Sequence, residues 1–168
     1  LSSVKLRDAN SPEEFIKRIG AYAQTIAKGT WITSGDWDHE NWGGVLPTRD
    51  WIDSVTRDHP VWINRLDGHM SLANSAALKL AEITDAVKEV AGGTIVREKN
   101  GRITGIFKDN AAGLINRAVP KPTDEQEDAA LYAAMSYVAE RGVTSVHNMS
   151  DFQDTFERAH EKGKLKTR

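Results

Sequence analysis

The sequence predicts an α/β protein, and three observations carry that expectation. Helical stretches with readable start signals alternate with short β-branched runs, as in "AERGVTSVHNM". Apolar runs such as "PVWINRL" are almost continuous, the pattern of strands buried on both faces. The order helix, turn, buried strand then recurs near the end of the chain, which is the grammar of βαβ units in parallel sheets and barrels.

The first element is a helix in "SPEEFIKRIGAYAQTIAKGTW". Ser11 reads as its N-cap, Pro12 as its first residue, and Glu13 and Glu14 place acid in the first turn. Phe15, Ile19, Tyr22 and Ile26 recur at helical spacing, and Lys28-Gly29 reads as the stop. A short strand, "TWITSGDW", leads into the loop "DWDHENWGGVLPTRDW", and a second helix is expected near Arg49. All five tryptophans fall between Trp31 and Trp62, which suggests a loop folded down on a cavity or on the rest of the protein.

"PVWINRL" is the next strand, and "SLANSAALKLAEI" reads as the helix after it. "GGTIVREKNGRITGIFKDNA" is a hairpin turning at Lys99-Asn100-Gly101, because Asn-Gly suits the tight primed turns. A short helix follows near "NAAGLINRAV". Thr123 then caps a long helix whose apolar positions run to Val138, and Arg141-Gly142 ends it. "VTSVHNM" reads as a strand, Phe152–Lys162 as a helix, and "KLKTR" as the start of another strand.

The 168 residues can bury a sizeable core in one domain. A net charge of −2 argues against a nucleic-acid or anionic-membrane surface, and no apolar run is long enough to cross a membrane. With no cysteine, thiolate and disulfide chemistry are excluded, while cytoplasmic and exported locations both stay open. The chain opens on Leu1 and closes on "EKGKLKTR"; both ends read as cut, so a piece of a longer protein is expected.

Candidate sites each have a plainer alternative. Asp67-Gly68-His69 is expected at a strand-to-helix junction, where Gly68 allows a tight turn and both flanking side chains could meet a ligand. The alternative is an Asp capping the next helix beside a paired His. Asp36, Asp38, His39 and Glu40 crowd one loop, where an Asp-x-Asp-His run could hold a metal or form a solvated loop whose carboxylates cap neighbouring amides. Asp109 ends the second hairpin strand and could equally be a cap, with Lys108 beside it as an exposed strand residue. His147 is expected at the carboxyl end of a parallel strand, where barrel enzymes place catalytic groups, or as a histidine satisfied by a loop carbonyl. No His-x-His pair, His-Glu-x-x-His motif, phosphate loop or nucleophile elbow occurs.

Together, "SGDWDHENWGGVLPTRDWID", "PVWINRLDGHMSLANSAAL", "GGTIVREKNGRITGIFKDNA" and "AERGVTSVHNM" resemble the YtcJ-like branch of the metal-dependent amidohydrolase superfamily, the amidohydrolase-3 group. Asp36, Pro47, Arg49, Arg65, Asp67, His69, Asn74, Gly92, Gly93, Arg97, Gly105, Asp109 and Ala111 match its pattern. The resemblance implies a (β/α)8 barrel hydrolase that cleaves C–N bonds of amide or N-formyl substrates through a metal-activated water. It implies that this chain is a partial barrel of about two strand–helix units with an inserted α/β lobe, since the full barrel needs about 250 residues. The expected division is a helix over 1–30, the lobe over 31–120, and barrel helix, strand and helix over 121–168. Asp67, His69, Asp36 and Trp37 become substrate-facing candidates, and Asp109 a metal-facing or substrate-facing carboxylate. A divalent metal, zinc by expectation, belongs to the complete enzyme. The chain alone is expected to hold none, to be inactive, and to self-associate through uncovered apolar edges.

Overall fold

The computed structural model describes residues 3–149 and 152–167. Two compact units divide the chain, Ser3–Val119 and one built on Pro120–Arg168.

The first unit is organised on a five-stranded sheet of order β1-β2-β3-β5-β4. Its strands are β1 (Ile32–Thr33), β2 (Val61–Asn64), β3 (Met70–Ala73), β4 (Gly93–Arg97) and β5 (Ile103–Asp109). Only β1 and β2 run parallel; the β2–β3, β3–β5 and β5–β4 pairs are antiparallel. The βαβ reading of the sequence anticipated a parallel sheet, and the sheet is instead mixed. Two tight hairpins, β2–β3 and β4–β5, account for much of this, because antiparallel neighbours need only a short turn.

Both faces of the sheet are covered, which is why its central strands read as continuous apolar runs. Val61 and Ile63 of β2, Leu72 of β3 and Ile106 of β5 point into one core. There they meet Phe15, Ile19 and Ala23 of α1 (Pro12–Ala23) and Ile52 of α2 (Arg49–Asp53). Trp62, Ala73 and Phe107 point the other way. They pack with Ala77 and Leu78 of α3 (Ser75–Leu80), and with Ile115 of α4 (Gly113–Asn116). Trp62 meets Phe107 edge to face at 5.9 Å between ring centroids.

Local signals explain most of the boundaries. The Ser11 side chain accepts the Glu14 N–H, so α1 starts where its cap and proline place it. It ends at Ala23, short of the expected Lys28-Gly29 stop. The Tyr22 carbonyl accepts from both the Thr25 N–H (2.9 Å) and the Thr25 hydroxyl (2.7 Å), a local bond that competes with the next helical turn.

The stretch expected to be one helix from Ser71 is half strand. Met70–Ala73 is β3, with Leu72 paired to both Ile63 and Ile106. The helix begins only after Asn74, whose buried side chain accepts the N–H groups of Ala77 and Val61, both at 2.9 Å. Its amide donates to the Thr56 hydroxyl (2.9 Å) and the His59 carbonyl (2.8 Å). One asparagine thus caps α3 and ties it to the sheet.

Gly105 has φ +102, and a Cβ there would lie 2.4 Å from the Ala73 carbonyl oxygen and 3.1 Å from the Arg49 Cβ. Only glycine lets β5 pass so close under α2. The sheet edges are short or irregular: β1 has two residues, and the β4–β5 register shifts between Ile95 and Arg97. The Ile95 N–H meets the Glu89 carboxylate at 3.3 Å, and the Arg97 guanidinium donates to the carbonyls of Asp85, Val87 and Gly101.

The second unit pairs α5 (Asp124–Ala139) with α6 (Gln153–Glu161). Thr123 caps α5 as expected, in a reciprocal box with Gln126. Between α5 and α6 the bonds are polar: Arg158 reaches Asp128 (3.0 Å) and Glu127 (3.2 Å), Lys162 reaches Asp128 (2.7 Å), and Thr155 reaches Glu127 (2.8 Å). Lys162 first and Arg158 second hold the Asp128 carboxyl below the usual carboxylate range.

The expected strand "VTSVHNM" is not formed. Residues 143–149 are irregular and exposed, with no strand pairing among the described residues. A β-branched run becomes a strand only when a neighbour takes its backbone N–H and C=O groups. The last part of the expected "KLKTR" strand is likewise irregular up to residue 167.

Candidate functional site

The Asp67-Gly68-His69 motif sits in a hairpin turn, not at the predicted strand-to-helix junction. β2 leads through Arg65 into the turn and β3 leads out. The Arg65 N–H donates to the Met70 carbonyl (2.8 Å), and the Gly68 N–H donates back to Arg65 (2.9 Å). Gly68 has φ +75, the left-handed conformation the tight turn requires. Asp67 does not cap α3; it closes the turn on itself, its Oδ1 accepting the His69 N–H at 3.1 Å.

Three strands meet at this end of the sheet. Met70 pairs with Lys108, so His69 falls beside Asp109 at the end of β5. The Asp109 N–H donates to the His69 carbonyl (2.9 Å), and His69 Nδ1 lies 3.0 Å from Asp109 Oδ1. The His69 side chain is 75% exposed and that of Asp109 53%, so the pair faces solvent. Hydrogen bonding to Asp109, then the charges of Asp109 and Asp67, raise the imidazole above its ordinary value, so it is charged over a wider pH range.

Behind the turn lies an arginine clamp. Arg65 reaches Asp67 Oδ2 at 2.5 Å and Asp38 Oδ1 at 3.0 Å, with only 18% of its side chain exposed. Burial works to raise the Asp67 carboxyl, yet the His69 N–H and the Arg65 guanidinium hold it below its ordinary value. Asp38 also caps the short 3-10 turn His39–Trp42, so Arg65 ties the tryptophan-rich loop to the hairpin turn. Asn64 donates to Asp36 Oδ1 at 2.8 Å from the same side.

The structure therefore brings Asp67, His69 and Asp109 together and places Asp36 nearby through Asn64. Trp37 is fully buried, with its indole N–H on the Ile63 carbonyl at 3.0 Å and its ring edge-on to Phe15 at 6.4 Å. At Trp37 the tryptophan loop folds onto the core. His147 lies in the other unit, exposed, in the segment where its strand was expected. Arg65 was visible only as a motif residue, and no local signal in the sequence announces the His69–Asp109 pairing across 40 positions.

The fold matches part of a solved metal-dependent hydrolase structure. The chain superposes with a TM-score of 0.65 on the crystal structure of an uncharacterized metal-dependent hydrolase from Pyrococcus horikoshii, covering 99% of this chain and 32% of that one at 22% identity. The sequence carries the assignment further: residues 1–168 match the amidohydrolase family throughout, and the chain belongs to that family. It is 35% identical over its full length to Protein LONG AFTER FAR-RED 3 of Arabidopsis thaliana. It is 33% identical over 73% of its length to the putative amidohydrolase YtcJ of Bacillus subtilis. Over 63% of its length it is 30% identical to the N-substituted formamide deformylase of Arthrobacter pascens. It spans 31%, 23% and 20% of those proteins respectively.

A hydrolytic metal centre takes about three protein ligands and leaves a position open for water. Among the described residues no group of three or more His, Cys, Asp or Glu side chains could hold a metal ion. His69 and Asp109 meet as one pair of possible donors at this end of the sheet. No helix of the described residues is long and apolar enough to cross a membrane.

Proposed function

We propose that this chain is the lobe-bearing part of a metal-dependent amidohydrolase acting on small amide or N-formyl substrates by hydrolysis of a C–N bond. The observation that carries this reading is the family match along the whole chain, joined to a fold that fills about a third of a metal-dependent hydrolase. The deformylase of Arthrobacter pascens supports the N-formyl substrate class. In this reading residues 31–120 form a lobe inserted in a barrel, residues 1–30 and 121–168 belong to the barrel, and the metal, zinc in first place, is held by residues outside this chain.

The lobe's contribution is one polar wall of the substrate cavity. His69 meets the substrate's carbonyl or leaving group through its imidazole, with Asp67 holding the turn and Asp36 beside it. Exposed Val143, Val146, Met149 and Phe152 give the chain alone an apolar patch, and light scattering across concentration is expected to reveal self-association. A strict monomer at high concentration would count against the missing neighbours.

The test is hydrolysis of simple formamides and amides by the longer protein, with and without chelator, beside this chain alone. Chelator-sensitive turnover by the longer protein and none by the chain is the expected result. His69→Ala in the longer protein is expected to lower turnover about 100-fold, the scale of losing one preorganised polar contact. Turnover indifferent to chelation, or unchanged by that substitution, would overturn the reading.

A further inference from the structure

His69 is held at three points. Its N–H donates to Asp67 Oδ1 (3.1 Å), its carbonyl accepts the Asp109 N–H (2.9 Å), and its ring Nδ1 meets Asp109 Oδ1 (3.0 Å). Backbone and ring are thus fixed from opposite sides of the turn, although the side chain is three-quarters exposed. A histidine this exposed would ordinarily sample several rotamers, since nothing packs around it.

A carboxylate can only accept a hydrogen bond, so the proton between the two side chains sits on Nδ1. Among the described residues Nε2 has no partner. An imidazole with a carboxylate on Nδ1 and an open Nε2 is the arrangement that fixes a tautomer and aims the second nitrogen.

The backbone at Asp109 is a second, independent observation. Its φ of 49° with ψ of −127° is a conformation that residues with a side chain rarely adopt. Asp109 opens the 3-10 turn Asn110–Ala112, yet its carboxylate makes no cap hydrogen bond there, so capping does not explain its presence. The conformation is enforced from the next residue, where the Asn110 N–H and side-chain amide reach the carbonyls of Gly92 (3.3 Å) and Ala91 (3.0 Å). Glycine would sit there without strain. Strain retained in the backbone at a polar, exposed turn points to function rather than stability.

We infer that Asp109 is a positioning residue for His69: its carboxylate keeps the imidazole proton on Nδ1 and presents Nε2 as the ring atom that meets the substrate. This places Asp109 behind the histidine. The substrate contact rests on the amidohydrolase reading above, while the Asp109–His69 relation does not.

The test separates the two. Long-range proton–nitrogen correlation spectra of the nitrogen-15-labelled chain, taken above the imidazole's titration, report which ring nitrogen carries the proton. Wild type is expected to show Nδ1–H. Asp109→Gly, which suits the positive φ and removes the carboxylate, is expected to revert to the Nε2–H form that unrestrained imidazoles prefer. Asp109→Asn keeps an acceptor oxygen on a side chain that tolerates this backbone, and is expected to restore Nδ1–H. In the longer hydrolase Asp109→Gly is expected to lower kcat about 10-fold to 100-fold with a smaller change in KM, the scale for an orienting partner. Nε2–H in wild type, an unchanged tautomer in Asp109→Gly, or full kcat despite a changed tautomer would each overturn the inference. A longer protein without amide hydrolysis would instead remove the proposed reaction and leave the tautomer result standing.

Discussion

The two units are stabilised by different forces. Between them the two cores of the sheet unit enclose Phe15, Ile19, Ile63, Leu72, Ile106, Phe107 and Ile115 with no exposure at all. Among the described residues of the helix pair, Met135 and Ala159 are the buried apolar ones, Asp128 and Thr155 are also buried, and Leu131, Tyr132, Val138 and Phe156 are half-buried. Tyr137 is exposed, as are Val143, Val146 and Phe152 outside the helices. Burial of apolar surface is the dominant folding force, and exposed ion pairs add little to it. The first unit is therefore built on buried apolar cores, whereas the second joins its helices through charged and polar bonds and leaves several apolar side chains exposed.

The largest expected effect is in the sheet unit. Phe107→Ala removes a fully buried ring stacked edge-on to Trp62, and is expected to cost about 3–5 kcal/mol in urea unfolding. A loss below about 1 kcal/mol would mean that this core is loosely packed and the contrast overstated. Asn74→Ala comes next. It strands the N–H groups of Val61 and Ala77 and removes the amide donor from the His59 carbonyl, and should cost about 3 kcal/mol by the same measurement. Loss of strand protection along with that of α3 would show that one side chain joins the two.

A smaller, local effect is expected in the helix pair. Arg158→Met cuts the links to Asp124, Glu127 and Asp128. Amide exchange should quicken in α5 and α6 while the sheet stays protected, and high salt should reproduce part of the change in wild type. Equal loss of protection in both units would erase the distinction between them.

The smallest effect is pH-dependent. The folded imidazole of His69 is raised by Asp109, so the pair stabilises fully below the unfolded value of about 6.5. That contribution is lost as pH rises through the higher folded value. The stability difference between wild type and His69→Ala is expected to shrink across that window; a difference that grows with pH would contradict the pairing.

Legibility in the sequence followed the range of the interaction. The Ser11-Pro12 start, the Thr123 cap and the Asn100-Gly101 hairpin turn were all readable because each works within four residues. Ser71–Ala73 reads as helix because its small residues fit a helical period, and only the pairing of Leu72 with Ile63 and Ile106 makes it strand. Residues 143–149 failed in the opposite sense, with strong β-propensity and no partner. At the site, Asp67 and His69 stood out locally. Their meeting with Asp109 is set by the register of β3 on β5, which no local pattern encodes.

The edges of the sheet have a consequence for what this unit can do in company. A two-residue strand closes one side, and on the other a register shift, a glutamate on the Ile95 N–H and a well-anchored Arg97 close the second. A stray extended peptide finds no continuous ladder of free backbone groups to extend. The sheet thus behaves as a polymer already terminated at both ends. A module of that kind can be spliced into a host chain without recruiting the host's strands, or those of a neighbouring molecule, into its own hydrogen-bond lattice.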